Sequence, residues 1–170
     1  LKLLIEKYKF DGIMFQDETF FMNKERVLNI CKEILKNKWN IKWCCYARVD
    51  ELNRFSEEEI EILKKSGCKM FSVGAESGNQ ETLDRVDKCI KVEDTFKFAA
   101  IAQKHGFDVV WDFIVGFPNE TEKSINDTLN MIVKLKKINP YCDLNIALYN
   151  PLPKTKLYDI AVKEAKSIGC

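Results

Sequence analysis

Strand-like and helix-like runs alternate along this chain five times, and no hairpin turn separates any two of the strands. Residues 12–16 (GIMFQ), 42–46 (KWCCY), the apolar half of 68–78, 107–115 and 143–149 are β-prone. Helical patterns are predicted over 24–38, 57–66, a short 80–88, 92–105, 121–137 and 154 to the end, with a helix end at 1–9. Strands joined through helices must run parallel, with right-handed crossovers and the helices packed outside.

The stretch 68–78 (CKMFSVGAESG) shows the pattern most plainly. A helix stops at Ser66-Gly67, where glycine takes the left-handed cap conformation. Met70, Ser72 and Gly74 then alternate with Phe71 and Val73. The strand is expected to break at Gly74 and to place Glu76 at its mouth. An ordinary strand-to-helix loop, with Glu76 capping the next helix, stays open as the plain alternative. Elsewhere, Asp17 or Asn23 is placed to cap the helix over 24–38, whose stripe is Val27, Leu28, Cys31, Ile34 and Leu35. Ser56 and Glu59 have capping-box spacing. The helix over 92–105 is read with Phe96, Ala99, Ala100 and Ile101 inside and a stop at His105-Gly106. Asp112 interrupts the apolar 107–115 strand, which predicts that it faces a barrel interior.

Polar or special residues recur at the strand ends: Asp17-Glu18, Arg48, Glu76, Gly116-Phe117-Pro118 and Asn150-Pro151. In a parallel sheet those ends share one edge, so the five loops converge. A doubly wound nucleotide-binding sheet would carry a GxGxxG loop, which is absent from this sequence.

Composition narrows the partners. With 27 basic and 26 acidic residues, bulk charge makes no case for nucleic acid or a membrane surface. No apolar run approaches the roughly 20 residues of a membrane span. The seven cysteines are scattered and His105 is the single histidine, so no zinc-ligand spacing exists and a reducing, cytoplasmic compartment is expected. Cys44 and Cys45 point to opposite faces of one strand. Trp39, Trp43 and Trp111 are expected in the core, and the lysines at 32, 36, 38, 134, 136 and 137 on solvated faces.

Taken together, DETF at 17–20, RVD at 48–50, GAESG at 74–78, GFPNET at 116–121 and PLPKT at 151–155 resemble, in order, the motifs of the radical S-adenosylmethionine (SAM) superfamily. The likeness is strongest to the branch with cobalamin-binding methylases and cyclases, coproporphyrinogen oxidases and methylthiotransferases. The resemblance implies an α/β fold, part of a (β/α)6 TIM-like barrel missing its first strand. It implies an enzyme that cleaves SAM reductively at a [4Fe–4S] cluster to a 5′-deoxyadenosyl radical, with flavodoxin or ferredoxin as electron donor. Cobalamin, in part of that branch, is held by another domain.

Position by position, the resemblance places Asp17 and Glu18 at the SAM amino group, and Arg48 near its carboxylate or the substrate. It places Glu76 and Ser77 at the ribose or methionine end, and Ile114 and Gly116 along the adenine. The backbone of Leu148 and Tyr149 borders the adenine. The cluster's CxxxCxxC ligands are not among these 170 residues, so residues 1–170 are expected to be one partial barrel domain from a longer protein, inactive alone. Asn119 and Lys154 stand where the family usually has glycine; the turn at Lys154 is expected to differ. Two other readings stay open: a metal-dependent barrel lyase or hydrolase with Asp17, Glu18, Glu76 and Asp112 as oxygen ligands, and a degenerate, non-catalytic barrel scaffold. Substrate and reaction type are not legible.

Overall fold

Five parallel strands pair in the order in which they occur, and that order decides the architecture. A computed structural model describes residues 1–167. In it β1 (Gly12–Phe15), β2 (Lys42–Ala47), β3 (Cys68–Glu76), β4 (Asp108–Val115) and β5 (Asp143–Leu148) lie side by side as β1-β2-β3-β4-β5. A doubly wound sheet reverses its order at a switch point and takes helices on both faces. Here the order never reverses, so right-handed crossovers put every connecting helix on one face. The result is an open arc of a (β/α) barrel with its inner face uncovered, as the resemblance implies.

Side-chain alternation matches that one-sidedness. Trp43, Cys45, Ala47, Phe71, Val73, Ala75, Val109, Trp111 and Phe113 are buried against the helices. Their neighbours Cys44, Met70, Ser72, Gly74, Val110, Asp112 and Ile114 are half-exposed on the other face. Phe71 is the hub of the outer core, with its ring centroid 5.8 Å from Phe21, 5.5 Å from Phe98 and 5.0 Å from Phe107. The buried indole of Trp43 donates from Nε1 to the carbonyl of Ser66 at 3.2 Å and to its Oγ at 3.1 Å, which satisfies its one polar atom.

The helices are α1 (Lys24–Lys36), α2 (Val49–Leu52), α3 (Glu57–Lys65), α4 (Gln80–Arg85), α5 (Val92–His105), α6 (Glu122–Ile138) and α7 (Lys156–Ser167). A turn of π-helix spans Leu3–Lys7, and a 3-10 turn buries Phe20 and Phe21 before α1. Asn23, not Asp17, caps α1 by accepting from Arg26 N–H at 2.9 Å. The Ser56–Glu59 capping box forms as spaced. Gly67 takes φ +96, and a Cβ there would lie 2.0 Å from the carbonyl oxygen of Ile41, so the helix-to-strand turn requires glycine.

Several expectations are corrected. The inward stripe of α5 is Thr95, Phe98, Ala99 and Ala102, whereas Ala100 is exposed. Alanines stand on both the buried and the exposed side of this helix, so the pattern alone does not select the stripe. On α1, Leu35 is exposed. The third strand does not break at Gly74: it continues to Glu76, with a register shift between those two residues. The turn at Lys154 keeps the left-handed backbone of a glycine site, φ 70, as Asn119 does at φ 57. The predicted final helix is present as α7, and residues 168–170, with Cys170, lie outside the described residues.

Candidate functional site

The C-terminal ends of β1, β2, β3 and β4 frame a cleft of about 500 Å³ lined by Gln16, Glu18, Tyr46, Ala47, Arg48, Ser72, Gly74, Glu76, Lys88 and Asp112. Each strand contributes residues because alternation turns every second side chain to the inner face. Three of the residues singled out in the sequence meet here: Glu18, Arg48 and Glu76. Glu18 is exposed and, among the described residues, makes no hydrogen bond or ion pair. Arg48 is held from two sides: its Nε donates to Asp50 Oδ1 at 3.0 Å and its Nη2 to the carbonyl of Lys88 at 2.8 Å. The floor is polar: Ser72 Oγ donates to Asp112 Oδ2, and Asn145 Nδ2 donates to Asp112 Oδ1, each at 2.8 Å. Asp112 thus faces the barrel interior as expected.

Glu76 occupies the most constrained position. Its φ is 61, and Ser77 N–H donates to the Ala75 carbonyl at 2.8 Å across it. An i-to-i+2 hydrogen bond about a residue with positive φ is the rare γ-turn, costly outside glycine. Strain of this kind concentrates at binding and catalytic sites. The turn carries the Glu76 carboxylate over Gly74, where Lys88 Nζ donates to Oε1 at 2.6 Å.

The remaining residues lie elsewhere. Asp17 is turned to α1, where Arg26 Nη2 donates to Oδ1 at 2.6 Å. Ser77 is fully buried, its Oγ 3.1 Å from Thr128 Oγ1 on α6, so its hydroxyl faces the helix layer. Ile114, Gly116 and Tyr149 stand along the β4–β5 end of the same edge. There Tyr149 N–H donates to the Val115 carbonyl at 2.7 Å, and its ring lies 5.2 Å from that of Phe117. Gly116 has φ +84, and Glu120 Oε2 accepts from its N–H and from that of Phe117. The side chain of Leu148 is 80% exposed and shares the outer face with Leu144 and Ile146, so only its backbone borders the edge.

The four acids of the metal-site reading go to separate partners: Asp17 to Arg26, Glu76 to Lys88, Asp112 to Ser72 and Asn145, and Glu18 to none. Among the described residues no group of three or more His, Cys, Asp or Glu side chains is arranged to hold a metal ion. Burial pushes the thiols of Cys31, Cys45 and Cys68 up, so they stay protonated and inert. A larger hollow of about 750 Å³ lies between α4, the start of α5 and α6. Several of its polar groups serve each other: Gln80 Nε2 donates to Asp84 and to the Ile90 carbonyl, and Asn79 Nδ2 donates to Asp127. The strand-end cleft differs from it in bringing together, among the described residues, an unpartnered acid and an anchored guanidinium.

A one-sided arc of parallel strands with its helices on the outer face belongs to the class of (β/α) barrels. The family model described as the radical SAM superfamily matches residues 1–132, and the chain belongs to that superfamily. It is 31% identical over 162 residues to an uncharacterized methyltransferase of Pyrococcus horikoshii, covering 95% of this chain and 34% of that protein. It is 26% identical over 159 residues to the anaerobic magnesium-protoporphyrin IX monomethyl ester cyclase of Rubrivivax gelatinosus, covering 93% and 28%. The chain thus spans about a third of the length of these relatives. Among solved structures, the radical SAM methyltransferase TsrM of Kitasatospora setae, with cobalamin and a [4Fe–4S] cluster bound, superposes with a TM-score of 0.77 at 18% identity, covering 95% of this chain and 32% of that one. Coproporphyrinogen III oxidase HemN of Escherichia coli superposes with a TM-score of 0.67 at 20% identity, covering 90% and 34%. These last two likenesses speak for the fold. Among the described residues no helix is long and apolar enough to cross a membrane.

Sequence reasoning missed Lys88 and the short helix α2. Lys88 lies in the connection after α4, twelve residues beyond Glu76, and no local pattern marks it as a partner.

Proposed function

We propose that this chain is the SAM-binding part of a radical SAM enzyme. The observation that carries this is the convergence of Glu18, Arg48 and Glu76 on one cleft at the strand ends. A sulfonium with an α-ammonium group favours carboxylates within a few ångströms, and its carboxylate favours a guanidinium. The side chains fit that ligand: among the described residues Glu18 has no partner, Glu76 Oε2 has no donor, and Arg48 keeps Nη1 free once Asp50 and Lys88 have taken its other nitrogens. Ile114 and the Gly116–Phe117 turn give an apolar wall for a flat base.

In this reading the domain is one partial barrel, and a first βα unit upstream pairs with the open edge of β1 and carries the cluster cysteines. A [4Fe–4S] cluster held by those cysteines would supply the electron for reductive cleavage of SAM. The residues here bind and orient SAM and shield it from water. The names of the relatives, a methyltransferase and a cyclase, together with the cobalamin in TsrM, support a cobalamin-dependent methylase or cyclase as the whole protein. A flavodoxin or ferredoxin as electron donor and a cytoplasmic location complete the proposal.

The test uses the full-length protein, reconstituted anaerobically with iron and sulfide. A reduced-cluster electron paramagnetic resonance signal that changes on adding SAM, with formation of 5′-deoxyadenosine, is the expected result. A folded protein with neither would favour a non-catalytic barrel scaffold.

A further inference from the structure

The acid at the end of β3 is held by a residue that no strand end supplies. Lys88 Nζ donates to Glu76 Oε1 at 2.6 Å, and both side chains are largely shielded, 17% and 19% exposed. A single ion pair on an open surface contributes little, but shielding from water strengthens it. The backbone around Lys88 is unusual. Asp87 and Cys89 on either side both take left-handed conformations, φ 53 and 55, and neither is glycine. The Lys88 N–H is tied back to the Leu83 carbonyl at 3.0 Å, and its own carbonyl accepts from Arg48. Two costly conformations flanking one side chain, beside a third at Glu76, persist only when the surroundings hold them.

Gly74 completes the arrangement. A Cβ on it would lie 2.6 Å from Glu76 Oε1 and 2.9 Å from Lys88 Nζ. The pair therefore lies across the glycine, and a methyl group there would part the two ends while meeting only flexible side-chain tips.

We infer that Lys88 is the positioning residue of the site: it holds Glu76 Oε1 so that Oε2 faces the ligand, and the left-handed turn Asp87–Cys89 aims it. Through its main-chain carbonyl the same residue anchors Arg48. One turn between α4 and α5 thereby sets both the acidic and the basic side of the cleft. The identity of the ligand rests on the SAM reading; the clamp itself does not.

The experiment has two arms, both on the full-length protein. In the first, SAM affinity of the reconstituted protein is measured by equilibrium dialysis for the wild type, Lys88→Met, Lys88→Arg, Gly74→Ala, Glu76→Gln and the Glu76→Gln/Lys88→Met double variant. Lys88→Met is expected to weaken binding about tenfold, with Gly74→Ala close behind and Lys88→Arg recovering most of the loss. The double variant should bind no worse than Glu76→Gln alone, because Lys88 acts through Glu76. In the second arm, hydrogen exchange of residues 86–91 is followed without SAM; Lys88→Met and Glu76→Gln should raise it by the same factor. Losses that multiply in the double variant, or exchange that neither substitution changes, would overturn the inference. A wild-type protein that takes up no SAM would sink the ligand reading alone, and the exchange arm would still decide on the clamp.

Discussion

The two faces of the sheet use the same strands for opposite ends. On the outer face, Trp43, Phe71, Val73, Trp111 and Phe113 are nearly inaccessible, and the rings of Phe71 and Trp111 pack against those of Phe107 and Phe98. On the inner face, Tyr46, Ser72, Asp112 and Ile114 are half-exposed or exposed, and Ser72 donates to Asp112 across neighbouring strands. The outer face keeps only shape and apolarity. The inner face keeps charge, positive φ and polar atoms still free to bind. Stability and ligand recognition are thus separated by a period of two along one backbone.

Adjacent residues of β3 give the largest contrast. Phe71→Ala should cost about 3–5 kcal/mol of stability, as large-to-small changes in a packed core do. Ser72→Ala, next to it, should cost about 1 kcal/mol or less, since Asp112 Oδ2 can turn to water. Thermal unfolding of both variants checks this, and equal losses would break the comparison.

Glu51 tests the outer layer's intolerance of charge. It is 5% exposed, its Oε2 has no partner among the described residues, and burial, with Asp50 beside it, pushes its carboxyl up. At acid pH it is protonated in both the folded and unfolded states. As pH rises through the ordinary carboxylate value, the unfolded chain ionises first and stability falls. Glu51→Gln should therefore stabilise by about 1–2 kcal/mol at neutral pH and by nothing near pH 3. Unfolding midpoints at the two pH values decide it.

Glu59 has the opposite sign. Its carboxyl is held below the ordinary range by the Ser56 N–H and then by Lys24. That stability is present above the ordinary value and is lost as pH falls through the lowered one. Glu59→Gln should cost about 1 kcal/mol at neutral pH, with the difference from wild type closing in acid. The smallest effect is at Lys154, whose φ of 70 suits glycine. Lys154→Gly should gain about 1 kcal/mol or less, seen as a small rise in midpoint.

The outer face was readable because alternation and helical spacing are local signals. Gly67, Asn23 and the Ser56–Glu59 box announce themselves within four residues, and the strand ends followed from them. What escaped depends on distance or on broken periodicity. α2 is one turn long and shows no period. α5 carries alanines on both its buried and its exposed side, so its inward stripe needed the sheet to choose it. Ser77 reads like part of a site motif, yet the turn at Glu76 sends its hydroxyl to Thr128. Asp17 resembles its neighbour Glu18 in chemistry, but Arg26 nine residues later claims it. Lys88 reaches Glu76 only after the chain has passed through α4.

Hydrogen exchange on the reconstituted full-length protein, with and without SAM, tests most directly the claim that the inner face at the strand ends is the binding site. The account predicts that SAM slows exchange in the segments at 16–18, 46–48, 72–78 and 86–90, and leaves 60–66 unchanged. Protection confined to the hollow at 79–84 and 90–94, with the strand ends unaffected, would contradict it.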